Sequence, residues 1–391
     1  MNDYKIRKQN EKDFLLQYAN KNDYTDKMAI VTAIKSKEII RRDVRLTNLT
    51  DDIFKFGINS LEYSYLRFNN NYTIKNESYL TGYKNSKKIY EKTIYFNSGM
   101  SAITALLESV FECGGTKIIY SKDIYFETYK ILQTKNKKMA RKKIMYFDSI
   151  DPNFKLEYVK NISKFSNIIG CIIDTTCLTN NNMKKIIDKI LDKNKFVFLV
   201  KSLTKLDMLG TEYSRMGVLT MLLPKNINKY LATIYTKLFI GIKQKSINYN
   251  CCPSPFDFPP FWDSKDFFKL NNARISQITK NVNLMYQSIK NTNYANFKII
   301  KPNHNLFLLF LPKQNFSREE LINICKNIAN SLKIKYDMKY CGSFGFDFIA
   351  IDTYINISDN KETIRLSLND YDSDLIQKFS TDFMEILNDY I

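Results

Sequence analysis

Two stretches decide the fold of this chain: Ile168-Ile-Gly-Cys-Ile-Ile-Asp-Thr-Thr176 and Phe196-Val-Phe-Leu-Val-Lys-Ser-Leu-Thr-Lys205. Each is a short, β-branched apolar run of the kind a strand buried on both faces requires. Each ends abruptly in polar residues. Between them, Ile186–Leu191 lies in a stretch with helical spacing of its apolar positions. The same alternation extends upstream. Thr93–Phe96 reads as a strand, followed by a helix that puts Met100, Ile103, Leu106, Leu107, Val110 and Phe111 on one face. Gly114-Gly115 is expected to end that helix. Strand-length runs recur at Lys117–Tyr120 and Ile144–Phe147. Strands alternating with helices predict an α/β fold with a mostly parallel, helix-covered sheet.

The phase breaks at Cys251-Cys252-Pro253-Ser254-Pro255 and again at Pro259-Pro260. Beyond lie a long helical stretch at about 263–291, strands at Phe297–Ile300 and Leu306–Leu311, a helix from Ser317 and a last helix from Asp372. At 391 residues the chain exceeds the roughly 250–300 at which single cores stop growing. The expected division is an N-terminal arm (1–60), an α/β domain (61–250) and a C-terminal α+β domain (251–391). Two short amphipathic helices, around Asp13–Ala19 and Lys27–Arg41, read as belonging to the arm.

Composition excludes several classes. No apolar run approaches the 18–20 residues of a membrane span, and the polar N-terminus lacks a signal-peptide core. Seven scattered cysteines without a CxxC argue for reduced thiols in a cytoplasmic protein and against a structural zinc site. The net charge of +19 raises the possibility of nucleic-acid binding. The basic residues are dispersed, however, and no recognition motif accompanies the densest cluster at Lys135–Lys143. There is one histidine, His304, in a Pro-Asn-His-Asn turn that suits packing or surface duty. Proton transfer in an enzyme with this sequence therefore falls to Lys, Tyr, Asp, Glu or a cofactor, and no metal site is expected.

In doubly wound sheets ligands sit at the carboxyl ends of strands, and three such ends carry matching polar groups. Asn97-Ser98-Gly99-Met100 opens a helix with small residues whose N–H groups suit a phosphate. Asp174-Thr175-Thr176 offers an acid, and Ser202-Leu-Thr-Lys205 a lysine flanked by hydroxyls. Each has an ordinary structural explanation alone, as a cap, a turn or a chance spacing. In this order they form what pyridoxal 5'-phosphate needs: donors for its phosphate, a carboxylate for its pyridine nitrogen and an amine for its aldehyde.

The chain resembles the Cys/Met-metabolism family of pyridoxal-phosphate enzymes, which includes cystathionine γ-synthases, cystathionine lyases and methionine γ-lyases. Asn97-Ser98-Gly99-Met100-Ser101-Ala102 is similar to the family's Ser-Gly-Met-Ala-Ala phosphate loop. Tyr125 falls where the family stacks a tyrosine on the cofactor ring. Asp174-Thr-Thr176 resembles Asp-Asn-Thr, and Ser202-Leu-Thr-Lys205 resembles Ser-x-Thr-Lys. Tyr65-Leu-Arg67, with Asn69 and Thr73, is similar to a segment that reaches the phosphate of a neighbouring subunit. Ser254-Pro-Phe-Asp257 matches the piece opening the connecting helix, Ser343-Phe-Gly345 resembles Ser-Leu-Gly, and Ile364-Arg-Leu-Ser367 resembles the segment whose arginine grips the substrate carboxylate.

The resemblance implies fold type I and a homodimer or homotetramer with shared sites. It implies that Lys205 holds the cofactor as a Schiff base and shuttles protons, with Tyr125 assisting. Ser98, Gly99, Met100, Thr176, Ser202 and Thr204 would surround the phosphate and ring, joined by Tyr65 and Arg67 of a second copy. Asp174 would pair with the pyridine nitrogen, while Arg365 and Ser343 would bind the substrate. The implied reaction is β- or γ-elimination or replacement on a sulfur-containing or O-activated amino acid. Departures mark the substrate side. Gly210-Thr-Glu-Tyr213 stands for the usual Gly-His-Ser-Asp, and Phe126-Glu127 follows Tyr125 where glycine is usual. Glu127 is expected to narrow the pocket and favour a cationic distal group. A specialised biosynthetic enzyme and a catalytically degenerate homologue are the alternatives; retention of Lys205 and Asp174 counts against the second.

Overall fold

The computed structural model describes residues 2–19, 26–46, 52–56, 59–63, 71–75, 77–83, 89–113, 116–121, 123–135, 142–165, 167–178, 183–290, 297–356 and 361–390. The chain opens with helices α1 (Asn2–Leu16) and α2 (Lys27–Leu46), a small antiparallel sheet of β1 (Asp52–Phe56), β2 (Asn59–Tyr63) and β3 (Asn71–Thr73), and α3 (Glu77–Thr81). There follow β4 (Ile89–Phe96), α4 (Gly99–Glu112), β5 (Thr116–Ile119), α5 (Phe126–Lys135), β6 (Lys142–Asp148), β7 (Ile168–Asp174), α6 (Met183–Leu191) and β8 (Phe196–Ser202). A one-turn α7 (Leu203–Leu206), β9 (Gly217–Pro224) and α8 (Lys229–Asn248) complete this part. Its strands form one sheet in the order β4-β9-β8-β7-β6-β5, with only β9 antiparallel to its neighbours.

Alternation along the strands explains why these runs carry so little polarity. Phe196, Phe198 and Val200 of β8 enter the core under α4, α5 and α8, beside Leu106 and Leu238. Val197 and Leu199 enter the opposite core with Ile186, Ile187 and Ile190 of α6. Both faces are covered, so both sets must be apolar. Helix α4 starts where Ser98 caps it, its side chain accepting from the Ser101 N–H at 3.0 Å.

The chain then passes through α9 (Lys265–Ile289) into a second sheet. Its strands are β10 (Phe297–Ile300), β11 (Leu308–Pro312), β12 (Met338–Tyr340), β13 (Ile349–Asn356) and β14 (Lys361–Ser367), in the order β10-β11-β14-β13-β12. Helices α10 (Arg318–Tyr336) and α11 (Ser373–Asp389) pack with it into one core. Ser317 and Glu320 close a capping box at the start of α10. Ser254-Pro-Phe-Asp257 does not open α9 directly. It caps its own 3-10 turn, and a second turn at Pro260–Asp263 intervenes. All seven cysteines are free thiols. Among the described residues no helix is long and apolar enough to cross a membrane.

The N-terminal helices are not a detached arm. Phe14, Leu15, Ile30, Val31 and Ile34 are buried among Phe258, Phe261, Trp262 and Phe267. Beneath them lies an ionic cluster. Asp347 receives Lys8 at 2.8 Å, Lys27 at 2.7 Å and Arg274 at 3.0 Å. Lys27 also contacts Glu11, and Lys8 also reaches Asp370 at 2.8 Å. Arg274, fully buried, donates further to the carbonyls of Gly345 and Phe346 at 3.0 and 2.6 Å. The cluster thus ties α1, α2 and α9 to the 343–347 loop.

The cations Lys27, Lys8 and Arg274 hold the Asp347 carboxyl below the usual carboxylate range against the opposing effect of burial. A depressed folded-state pKa adds stability that is fully present above the unfolded value near pH 4 and fades as pH falls further. Asp347→Asn is expected to cost about 3–5 kcal/mol at pH 7, because it strands buried cations. The gap to the wild type should narrow below about pH 4. Urea unfolding measures both; a cost below about 1 kcal/mol at pH 7 would contradict a cohesive cluster.

Candidate active site

The strand ends of the first sheet define one edge of a cavity of about 680 Å³ whose other wall comes from the second sheet. In register, Asp148 ends β6 level with Asp174 at the end of β7, and Asp174 lies level with Val200 of β8. Lys205 follows one turn later on α7. Ser98, Gly99, Met100, Tyr125, Asp174, Thr176, Ser202, Thr204, Lys205, Ser343 and Arg365 all line this cavity. Residues up to 267 positions apart in sequence, Ser98 and Arg365, therefore share one space.

Glycine is required where backbones cross. A Cβ on Gly99 would lie 2.9 Å from the Cβ of Ser202, so α4 could not start against the end of β8 with a larger residue. Gly345 has φ +84°, and a Cβ there would lie 2.1 Å from the Lys205 carbonyl oxygen. The Lys205 turn is also braced from below. Asn271 donates to the Leu206 carbonyl at 2.6 Å, Trp262 Nε1 to the Asp207 carbonyl at 3.0 Å, and Lys201 pairs with Asp207 at 2.9 Å. Thr204 Oγ1 accepts from the Met216 N–H at 3.2 Å, joining the turn to β9.

The Lys205 ammonium donates to Ser343 Oγ. Burial, and then the charge of Arg365, push its pKa below the ordinary lysine range. Asp174 accepts from the Thr176 N–H at 2.9 Å, while Thr176 Oγ1 accepts from the Ser202 N–H at 2.9 Å. Asp148 accepts from the N–H groups of Tyr125 and Ile150 at 2.9 and 3.0 Å. Both carboxyls are buried, without an ion-pair partner among the described residues. Burial raises the pKa of both, and Asp174 raises that of Asp148 further. A cation bound beside either carboxyl would favour its ionised form.

Several site residues escaped the sequence reading. Asp148 obeys the strand-end rule that singles out Asp174, but the apolar run Ile144–Phe147 stops one residue short of it. Arg215, exposed and lining the cavity between Ser214 and Met216, follows the lysine where no motif match drew attention. Asp352, Tyr354 and Cys177 also line it. Glu127 does not line the cavity; it acts on the Tyr125 hydroxyl through its charge, while Phe126 and Lys130 form that wall. Burial first and Glu127 second push the Tyr125 hydroxyl up to about 12. Tyr65 and Arg67 lie outside the described residues. His304 is a packing residue. Its Nδ1 accepts from the Leu306 N–H, and burial holds it near 3, hence neutral. Among the described residues no group of three or more His, Cys, Asp or Glu is placed to hold a metal ion.

The whole fold is similar to solved structures. The cystathionine gamma synthase of Xanthomonas oryzae pv. oryzae, solved in complex with cystathionine, matches with a TM-score of 0.53 and 14% identity over 76% of this chain and 82% of that one. The kynurenine aminotransferase of Pyrococcus horikoshii matches with a TM-score of 0.53 and 11% identity over 92% of this chain and 88% of that one. No family model matches the sequence, and no curated protein does. At these identities the likeness establishes the architecture, that of fold type I pyridoxal-phosphate-dependent enzymes.

A lysine of lowered pKa keeps its free amine at a pH where exposed lysines have lost theirs. Formaldehyde with cyanoborohydride should therefore label Lys205 ahead of the exposed lysines as a group when the pH is reduced from 9 to about 7.5. Peptide mass spectrometry reads the order. Labelling of Lys205 no faster than the exposed lysines would contradict the electrostatics described.

Proposed function

We propose that the protein is a pyridoxal 5'-phosphate enzyme that carries out elimination or replacement at the β- or γ-carbon of an amino acid. The observation that carries the reading is the convergence of Lys205, Asp174 and the N-terminus of α4 on one cavity. The residues fit the cofactor. Asp174 is a buried carboxylate with no cationic partner among the described residues, as a pyridinium requires. Ser98, Gly99 and Met100 at the head of α4, with Ser202 and Thr204 opposite, offer N–H and hydroxyl donors to a phosphate. Arg215 adds a cation from the same chain. When bound, pyridoxal phosphate supplies the electron sink that makes loss of a Cα proton feasible.

The chain's own groups then divide the work. Lys205 would hold the cofactor at its aldehyde group and would be the base for protons at the substrate's Cα and Cβ; its lowered pKa suits that duty. Tyr125, its pKa raised, keeps its proton at neutral pH and so acts as a donor, to the departing sulfur or oxygen. Ser343 keeps the lysine aimed into the cavity. Arg365 is the receptor for the substrate carboxylate. The wall of Phe126, Lys130 and Arg318 surrounds the distal part of the substrate. Two copies of the chain would share sites through Tyr65 and Arg67, as the resemblance implies.

Protein incubated with pyridoxal phosphate should acquire a visible absorbance band, and borohydride should fix the cofactor on Lys205. Asp174→Ala and Arg215→Ala should each weaken cofactor affinity, by about tenfold or more for loss of a charge-assisted contact. The loaded enzyme should release a 2-oxo acid and ammonia, or form a substituted amino acid when a nucleophile is present, from at least one of cystathionine, an O-acylhomoserine or a cysteine derivative. Trapping on another lysine removes Lys205 from its role. Products of transamination or decarboxylation alone would replace the elimination and replacement reading with the specialised biosynthetic one.

A further inference from the structure

Arg365 does not stand free in the cavity. Its Nε and Nη2 donate to the two oxygens of Asp352 at 2.9 and 2.6 Å, a fork-to-fork contact across the paired positions of β13 and β14. Arg365 and Asp352 are each 5% exposed. The rings of Phe307, Phe344 and Tyr354 surround the guanidinium, their centroids 5.5, 5.8 and 5.5 Å from its carbon. The pair and the rings around it hold the guanidinium in place and largely out of water. Nη1 has no hydrogen-bond partner among the described residues and is not sealed from solvent.

An incoming carboxylate has two routes to this guanidinium. Displacing Asp352 would leave a buried carboxylate unpaired, which is strongly unfavourable. Adding at the remaining Nη1 edge keeps the pair, but puts a second anion beside the first in a largely dry, aromatic cage. The second route is the one the packing permits.

We propose that Asp352 is a specificity-determining residue: by occupying the Nε–Nη2 fork of Arg365 it makes the carboxylate receptor electrically neutral and leaves one edge for the ligand. The site then holds the carboxylate of an amino acid weakly and takes its selectivity from the rest of the molecule. Candidate contacts for that part are Tyr354, Phe126 and the cations Lys130 and Arg318, all lining the cavity. The inference rests on the amino-acid reading above and adds which residue sets the strength of the carboxylate contact.

The test uses two ligands that differ at that contact, L-alanine and L-alaninamide, and whose difference in amine basicity is the same for every protein compared. Each is titrated calorimetrically into the cofactor-loaded wild type and Asp352→Asn at one pH. The ratio of the two affinities, compared between proteins, cancels effects common to both ligands. Removing the charge should raise the preference for the acid over the amide by about tenfold, the worth of one charge-assisted hydrogen bond. Asp352→Ser removes the same charge and leaves room for a water on the freed N–H groups, so it repeats the measurement if the asparagine variant does not fold. A ratio that is unchanged or lower in the variant overturns the role of Asp352 while leaving the amino-acid reading intact. Failure of the wild type to bind either ligand overturns both.

Discussion

Strand register is the constraint on which the site depends. Parallel pairing of β6, β7 and β8 brings their carboxyl ends to one edge, so Asp148, Asp174 and the start of the Lys205 turn emerge side by side. Slipping β7 by one residue would exchange its side chains between two differently packed cores and turn Asp174 away from the cavity. The cores on both sides of the sheet, one under α4, α5 and α8 and one under α6, oppose such a slip. Hydrophobic packing therefore fixes the positions of polar groups that contribute nothing to the packing themselves.

A second layer holds the lysine. Glycines at 99 and 345 let backbone approach backbone on either side of it, while Asn271, Trp262 and Lys201 secure the following residues. The ionic cluster around Asp347 extends this bracing to the N-terminal helices, since Arg274 grips the carbonyls of the same loop that presents Ser343. The part of the chain that reads as an arm thus supports the site from behind. The electrostatics are uneven across the cavity. Buried carboxyls without a cationic partner lie at the ends of β6 and β7, a lysine of lowered pKa lines the same cavity, and an ion-paired arginine lies on the far wall.

Much of this was legible in the sequence, for physical reasons that differ by element. Strands β6, β7 and β8 are apolar on both faces, and α6 carries a strong apolar stripe, so their composition declares them. Strand β9 has all eight residues buried but directly follows the remodelled loop after Lys205, where the irregular sequence obscured it. Helix α8 mixes aromatic and basic residues and leaves Tyr230 and Ile240 exposed, so its periodicity is faint. Strands β13 and β14 keep their alternation, with Ile349, Ile351, Ile364 and Leu366 in the core and Asp352 and Arg365 on the opposite face, but nothing in either pattern says that the opposite face is also buried. Local pattern located Lys205, Asp174 and the α4 cap. Nothing local could reveal that Asp352 meets Arg365, because that contact exists only through tertiary pairing.

The claim that organises these observations is that three strand ends and the head of α4 form a single cofactor site. A crystal structure of the protein grown with pyridoxal phosphate tests it most directly. Electron density should run continuously from Lys205 Nζ to the cofactor, with the ring nitrogen against Asp174 and the phosphate at Ser98–Met100. A cofactor bound with its phosphate away from α4, or one joined to a different lysine, would contradict the claim.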